Sequence, residues 1–255
     1  MIGAHFSKTS ALLDAKATGA SLAQIFISNP RGYSSPTKND ISLFDDTELG
    51  IYVHLPYLVN FASEREDVRE NSLRLLKSTD TLLNDKFLGL VVHGGQGGKL
   101  VQTPQAIDRW FNLLLGIQLK TPLLVENTAG GNSAPGRSLT DLITLVKGLR
   151  TQGIPNVGVC LDTCHAWAAG YEDLLAAYLL LQKELGRVDL LHINGSRDPL
   201  SSSRDRHSLL NDGFIPLDKI SKLVKQAKLD STPMILETPG DNNIWASEIE
   251  LLKSF

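Results

Sequence analysis

The sequence predicts a single (β/α)8 barrel with a metal site at the carboxyl ends of its strands. Three observations support this fold class. Strand-like and helix-like segments alternate throughout the chain, the strands are apolar on both faces, and 255 residues suit one such barrel. Continuous apolar strands are typical of a parallel sheet covered by helices, with right-handed connections. We therefore expect one domain over residues 1–255.

Eight short apolar runs are predicted to be the strands. They cover residues 2–6, 22–27, 51–55, 88–93, 122–127, 157–162, 190–194 and 233–238. Between them, apolar residues recur at helical spacing, for example over 72–83, 106–117, 139–150 and 174–185. Two connections, 28–36 and 195–215, are longer than packing requires. Long loops at the carboxyl ends of barrel strands carry substrate contacts, so a binding partner is expected there.

Composition narrows the class of protein. The formal charge is −3, so charge alone does not indicate a polyanion-binding surface. No run approaches the roughly 20 apolar residues that cross a bilayer, and the first residues lack the pattern of a secretory signal. The cysteines, Cys160 and Cys164, are too few for a disulfide framework, and we expect both to pack as small apolar side chains. These features predict an intracellular protein.

Histidine or carboxylate residues close six of the strand-like runs. They are His54, His93, Glu126, Asp162, His192 and Glu237. Because the carboxyl ends of all barrel strands meet at one face, these side chains are expected to converge. Three further potential ligands, His165, Asp205 and His207, follow two of the runs. Residues two apart in an extended segment face the same side, so Asp205 and His207 could hold one ion together.

Imidazole and carboxylate groups are natural ligands of zinc, with manganese and iron as alternatives. A single histidine at a strand end is more often structural. Here, however, five of the six histidines belong to this set, and the sixth, His5, also ends a strand. Nine donors exceed what one ion can use, whereas three ions with a shared carboxylate would use them. Clustered metals suit phosphoryl chemistry, because one activates water while another stabilises the leaving oxygen.

The motifs around these residues resemble those of the endonuclease IV family of apurinic/apyrimidinic (AP) endonucleases, also called AP endonuclease family 2. In chain order they are IGAHFS at 2–7, VHLPYLVNFAS at 53–63, VENTAGG at 125–131, GVCLDTCHAWAAGY at 158–171, HINGS at 192–196, SRDRHSLL at 203–210 and LETPG at 236–240. The resemblance covers essentially the whole chain. DTCHAWAAGY followed by RDRH is highly specific.

This resemblance implies a DNA-repair enzyme that hydrolyses the phosphodiester bond 5′ to an abasic site in double-stranded DNA, leaving 3′-hydroxyl and 5′-deoxyribose phosphate ends. It implies three Zn²⁺ per chain, a metal-bridging hydroxide as nucleophile and a monomer. The lack of a signal-like or membrane-spanning run predicts an intracellular location, cytoplasmic or DNA-associated. The implied ligand sets are His54, His93 and Glu126; Glu126, Asp162, His192 and Glu237; and His165, Asp205 and His207. Glu126 is expected to bridge two ions rather than act as a general base. His5 is not a family ligand, and we expect it to be structural or to contact a ligand.

The resemblance also points to Arg31, Tyr57 and Leu58 as DNA contacts. In the family, residues at these positions fill the gap at a flipped-out abasic nucleotide. From the residues alone, Tyr57 and Leu58 could instead be buried beneath a loop. Arg204 and Arg206 could contact phosphate, with a solvated loop surface as the competing interpretation. Three Zn²⁺ would change the formal charge from −3 to +3 and attract phosphates.

Two segments depart from the family pattern. Pro and Gly commonly follow the second histidine, whereas here the run is Gly94-Gly95-Gln96-Gly97-Gly98, and we expect a more flexible loop. The family's acidic residue after His-Leu-Asn is Gly195, so a contact near His192 could be missing. These changes bear on turnover and metal affinity more than on the type of reaction.

Two other functions remain open from the sequence. A metal-dependent sugar isomerase or epimerase shares the barrel and a site of this kind, but it needs only one or two ions. A non-catalytic DNA-lesion binder could also keep the barrel. The complete set of nine ligands argues against the lesion binder, and Gly195 is the only feature in its favour.

Overall fold

A computed structural model describes residues 1–255, and at its centre eight parallel strands form a closed barrel. The strands in chain order are β1 Ile2–His5, β2 Leu22–Ile25, β3 Gly50–His54, β4 Phe87–His93, β5 Leu123–Glu126, β6 Val157–Asp162, β7 Leu190–Ile193, β8 Gly195–Ser196, β9 His207–Ser208 and β10 Met234–Leu236. Strands β8 and β9 form a separate antiparallel pair, and β10 closes the barrel between β7 and β1. The predicted fold class is confirmed, and no boundary of the eight barrel strands differs from the prediction by more than two residues.

Eight α-helices surround the barrel. They are α1 Ala11–Thr18, α2 Glu66–Leu82, α3 Thr103–Leu114, α4 Leu139–Thr151, α5 Thr163–Ala169, α6 Leu174–Leu185, α7 Leu217–Leu229 and α8 Asn242–Ser254. Short 3-10 helices, Lys38–Asp40 and Ser42–Phe44, replace an α-helix between β2 and β3. Helix α2 begins before the predicted segment 72–83. The sequence pattern missed this start because the first turns are polar and lack apolar periodicity. None of these helices has the length and apolar character that a membrane span needs.

Local sequence signals fix several helix ends. Ser138 Oγ accepts a hydrogen bond from Asp141 N at the start of α4, and the Asp173 carboxylate accepts one from Ala176 N at the start of α6. Such side chains satisfy N–H groups that have no partner within the helix. Helix α6 ends at Gly186, whose φ of 88° is a left-handed conformation that glycine adopts without strain.

The barrel interior is built in layers. Its apolar layer, separate from the core beneath the helices, consists of Leu22, Tyr52, Val91, Leu124, Cys160, Leu190 and Ile235. Side chains two residues apart on a strand point to the same side of the sheet. Two positions further along are Gln24, His54, His93, Glu126, Asp162, His192 and Glu237. The strand period therefore stacks a polar layer directly on the apolar one, at the carboxyl ends of the strands.

The glycine-rich segment after β4 is hydrogen-bonded rather than free. Trp110 Nε1 donates to Gly94 O at 3.1 Å, and Arg109 Nη1 donates to Gly97 O at 2.8 Å. A Cβ atom on Gly94 would lie 2.6 Å from the backbone nitrogen of Gly136. Glycine is needed there for a close approach of two backbone segments. These contacts argue against the flexibility that the glycine content suggested.

Trp110 connects α3 to this segment, and its replacement tests the connection. Its ring is fully buried and packs edge-on against Phe61, with centroids 4.7 Å apart. Trp110→Ala should lower the free energy of unfolding by about 3–5 kcal/mol because it leaves a large cavity. Urea denaturation measures this loss. Trp110→Phe keeps most of the packing and loses only the donor to Gly94, so an equal loss for both variants would contradict an effect dominated by the cavity.

Candidate metal centre

All nine predicted ligands lie together at the carboxyl end of the barrel. Six are brought there by the ends of β3, β4, β5, β6 and β7 and by the residue after β10. His165 lies in the first turn of α5, whose N-cap Asp162 accepts a hydrogen bond from His165 N at 2.6 Å. Asp205 and His207 come from the long loop after β7. The connections between elements thus complete a cluster that the strands begin.

The donor atoms form three principal groups, in each of which all atoms lie within 4.8 Å of one another. The groups are His54, His93 and Glu126; Glu126, Asp162, His192 and Glu237; and His165, Asp205 and His207. The structure brings together the same sets that the family resemblance implied. A fourth combination of Asp162, Cys164 and His207 reuses members of two of these groups.

Glu126 is fully buried and lies between the groups. Its Oε2 atom lies 3.2 Å from His54 Nε2 and 3.1 Å from His93 Nε2. Its Oε1 atom lies 3.0 Å from His192 Nδ1 and 3.2 Å from His165 Nδ1. Each carboxylate oxygen therefore faces two imidazoles, an arrangement suited to a carboxylate that is shared between ligand groups.

Charged groups inside the cluster shift one another's pKa values. Burial by itself would raise the pKa of Glu126, but the imidazoles of His93 and His192 outweigh it and hold this pKa well below its usual value. Burial would lower the pKa of His207, whereas the nearby Asp162 carboxylate raises it, giving a value of about 9. A buried carboxylate whose pKa is lowered in this way requires positive charge close to it, from imidazolium groups or from bound cations.

The donor chemistry fits bound cations. His207 Nε2 is buried and lies 3.2 Å from Asp205 Oδ1, yet it forms no hydrogen bond. A metal ion would use this unpartnered nitrogen and compensate the carboxylates at the same time. Imidazole nitrogen and carboxylate oxygen are the donors that Zn²⁺ accepts.

Gln24 on β2 is a member of the polar layer that the sequence analysis missed. Its Oε1 accepts a hydrogen bond from His192 Nε2 at 2.8 Å, and its Nε2 donates to Glu237 Oε1 at 2.6 Å. The first contact leaves His192 Nδ1 facing Glu126, which is how outer partners orient metal-binding imidazoles. A signal was present in the sequence, because Gln24 is the only polar residue in the run LAQIFI. His5 Nδ1 lies 3.2 Å from Glu237 Oε1, in contact with a predicted ligand as expected.

The predicted DNA contacts lie at the rim of the cluster. Tyr57 is 58% exposed and Leu58 44% exposed, which excludes their burial beneath a loop. Tyr57 N donates to Pro30 O at 3.0 Å, and Tyr33 Oη donates to Leu58 O at 2.5 Å, so the segment after β3 is tied to the loop after β2. Arg31 on that loop is exposed. These residues form one connected edge beside the ligand groups.

Arg204 and Arg206 do not project freely from the loop. Arg206 Nε donates to the Asp198 carboxylate at 2.6 Å, and Arg204 Nη1 lies 3.4 Å from the same carboxylate. Both arginines are nevertheless more than half exposed. The sequence allowed these arginines to lie on a solvated loop surface, but it did not identify their acidic partner, Asp198.

Gly195 is surrounded too closely to carry an acidic side chain. A Cβ atom there would lie 2.3 Å from Leu209 O. Nearby, Asn194 Nδ2 donates to Asp162 Oδ2 at 2.6 Å, and Asn194 Oδ1 accepts from Glu237 N at 2.9 Å. Asn194 thus holds two predicted ligands, and contacts around His192 are present without an acid at position 195.

Two cavities meet at the cluster. One, of about 220 Å³, is lined by Phe26 and Thr238 as well as by predicted ligands. The other, of about 330 Å³, extends along Gln96 and Gly130. They share Tyr57, His93, His165 and Asp205. A substrate could therefore lie across the ligand groups and occupy both cavities.

Comparison with known proteins gives consistent matches. A family model described as a xylose isomerase-like TIM barrel matches residues 12–255. Probable endonuclease 4 of Mycobacterium leprae is 38% identical over 240 residues, which cover 93% of this chain and 92% of that protein. Probable endonuclease 4 of Mycobacterium tuberculosis matches with the same identity and coverage.

Solved structures that resemble this chain include an endonuclease IV and a sugar epimerase. Endonuclease IV from Thermus thermophilus matches with a TM-score of 0.81 and 29% identity, covering 99% of this chain and 97% of that one. A D-allulose 3-epimerase from a Methylomonas species matches with a TM-score of 0.68 and 14% identity, covering 99% and 96%. At that identity the second match shows a common barrel fold alone.

Gln24→Ala tests whether the missed residue supports metal binding. The variant removes the partner that orients His192, so zinc affinity should fall about 10- to 100-fold, as is typical when an outer partner of a ligand is lost. Competition with a chromogenic chelator measures the affinity. Gln118→Ala makes the same chemical change at an exposed position after α3 and should leave affinity unchanged. If Gln24→Ala also leaves it unchanged, the orientation of His192 does not depend on this amide.

Proposed function

Because this chain belongs to the endonuclease IV family of AP endonucleases, we propose that it hydrolyses the phosphodiester bond 5′ to abasic sites in double-stranded DNA. The products are a 3′-hydroxyl and a 5′-deoxyribose phosphate. The observation that carries the proposal is the cluster of three ligand groups joined through Glu126. The enzyme acts in DNA repair, and its substrate is DNA.

The proposed cofactor is three Zn²⁺ per chain, one for each ligand group. Bound zinc supplies charge that activates water for attack on phosphorus and stabilises the departing oxygen. We assign Glu126 the role of shared ligand of the catalytic metal pair. Its burial and its contacts with four imidazoles leave it no room to move as a proton carrier. All nine ligands come from one chain, which supports a monomer as the active form.

Tyr57, Leu58 and Arg31 are the proposed contacts at the lesion. An abasic site lacks one base in the stack, and an aromatic or apolar side chain can replace the lost contact. The hydrogen bonds that tie the Tyr57 segment to the loop after β2 restrict it before DNA binds, which lowers the entropy cost of binding. Arg31 adds positive charge that attracts the phosphate backbone of the DNA. Arg204 and Arg206 are weaker candidates, because each is already paired with Asp198.

Neither alternative function is favoured by a specific observation. The likeness to a sugar epimerase is limited to the fold. A sugar isomerase would have no use for the third ligand group, His165, Asp205 and His207. A lesion binder without activity would not need all nine ligands, several of which are buried, since buried charges oppose folding unless they are compensated.

Incision of a duplex that carries one tetrahydrofuran abasic analogue tests the reaction. We expect cleavage immediately 5′ of the analogue, with a 3′ end that a polymerase can extend, and no cleavage of the undamaged duplex. The analogue cannot undergo β-elimination, so any cut must be hydrolytic. Treatment with a strong zinc chelator should abolish cleavage, and added Zn²⁺ should restore it. A metal-loaded protein that leaves this DNA intact would reject the proposed function.

Tyr57→Ala and Leu58→Ala test the contacts at the lesion. Each should raise the KM for abasic duplex about 10-fold or more. For Tyr57 the reason is base–aromatic stacking, worth roughly 1–3 kcal/mol, and for Leu58 it is burial of the apolar side chain, worth roughly 1.5–3 kcal/mol. Zinc content should not change. Leu13→Ala removes an exposed leucine from α1 and serves as the matched control. An unaltered KM would exclude these side chains from lesion recognition, whereas loss of zinc would show that they support the cluster instead.

A further inference from the structure

Two of the nine predicted ligands, Asp205 and His207, lie on a long loop instead of on the barrel or its helices. Within that loop only Gly195–Ser196 and His207–Ser208 are strands. Asp205 lies outside them, and its side chain is 50% exposed. A free loop loses conformational entropy when its side chains bind an ion. A loop that is fixed beforehand therefore binds the ion more tightly.

The loop contains one buried carboxylate, that of Asp198, which is 3% exposed. Arg206 Nε donates to it at 2.6 Å, and Arg206 Nη2 makes a second contact with its other oxygen. Arg204 Nη1 lies 3.4 Å from the carboxylate. A bidentate arginine–carboxylate pair fixes orientation as well as distance.

The backbone of Asp198 is held as well. Its carbonyl oxygen accepts hydrogen bonds from Trp167 Nε1 at 3.2 Å and from Ser196 Oγ at 3.0 Å. Trp167 belongs to α5, the helix that also carries His165. Asp198 therefore connects the loop to the helix that supplies the remaining ligand of the same group.

We propose that Asp198 is a positioning residue for the third ligand group. It holds the arginines on both sides of Asp205 and thereby presents Asp205 and His207 toward His165. The proposal rests on the proposed function, in which these three residues bind the third zinc ion. An exposed ion pair would contribute little. The burial of this acid and its connection to α5 give the pair a fixed place.

The competing interpretation is that the two arginines serve DNA alone. An arginine that only contacts phosphate weakens DNA binding when it is removed and leaves metal binding unchanged. An arginine that anchors the ligand loop lowers metal affinity even in the absence of DNA. Zinc release measured without DNA therefore separates the two roles.

The experiment uses the full chain loaded with zinc and follows release of the metal to a chromogenic chelator. For Asp198→Asn we expect one of three ions to be held about 10- to 100-fold more weakly, while the other two are held as in the unmodified protein. Arg206→Gln should reproduce this selective loss. Asp212→Asn removes a carboxylate of the same charge from an exposed position after β9 and should release zinc as the unmodified protein does.

Circular dichroism checks that the variants fold. If Asp198→Asn does not fold, the half-exposed Arg206→Gln decides the question. Retention of all three ions with unmodified affinity in that deciding variant overturns the proposal, as does an unmodified chain that never binds a third ion. A protein that holds three ions but does not cut abasic DNA would instead overturn the proposed function, and the positioning role would still be decided by zinc release.

Discussion

The two-residue period of the parallel strands determines where the chemistry of this protein can lie. Each inward-facing apolar residue in the barrel is followed, two positions later, by a side chain of the polar layer. A shift of one residue in any strand would place a ligand against the helices and an apolar side chain in the cluster. The packing that stabilises the barrel therefore also specifies the positions of six ligands and of Gln24.

Charge compensation is the second constraint. Glu126 is fully buried, and the imidazoles around both of its oxygens hold its pKa well below the usual value. A histidine binds a metal in its neutral form. His165 and His192, whose pKa values are raised despite burial because acidic groups lie beside them, therefore release protons when an ion enters. The unpartnered His207 Nε2 shows that hydrogen bonds within the protein do not satisfy every donor. The cluster is thus more completely satisfied with cations than without them.

Much of this arrangement could be predicted from the sequence, and the reason is periodicity. Apolar runs that end in histidine or carboxylate define both the strand and the direction of its last side chain, so the ligands of β3 to β7 follow from local pattern. Contacts between distant loops carry no such pattern. The ion pair between Asp198 and Arg206 and the close approach of Gly94 to Gly136 depend on loop conformations that composition does not specify. Gln24 lies between these cases, since its position was visible and its partners were not.

The surroundings of Gly195 are also set by contacts between loops, and the structure changes how this residue is interpreted. As a missing acid it was the only feature that favoured a protein without catalytic activity. In the structure it pairs with Ser208 across the β8–β9 hairpin, and a Cβ atom there would lie 2.5 Å from Ser208 Oγ. The small residue is what allows the hairpin that carries His207 to close, while Asn194 holds the neighbouring ligands. The departure is therefore a change in packing that keeps the ligands in place, and the argument for an inactive protein loses its support.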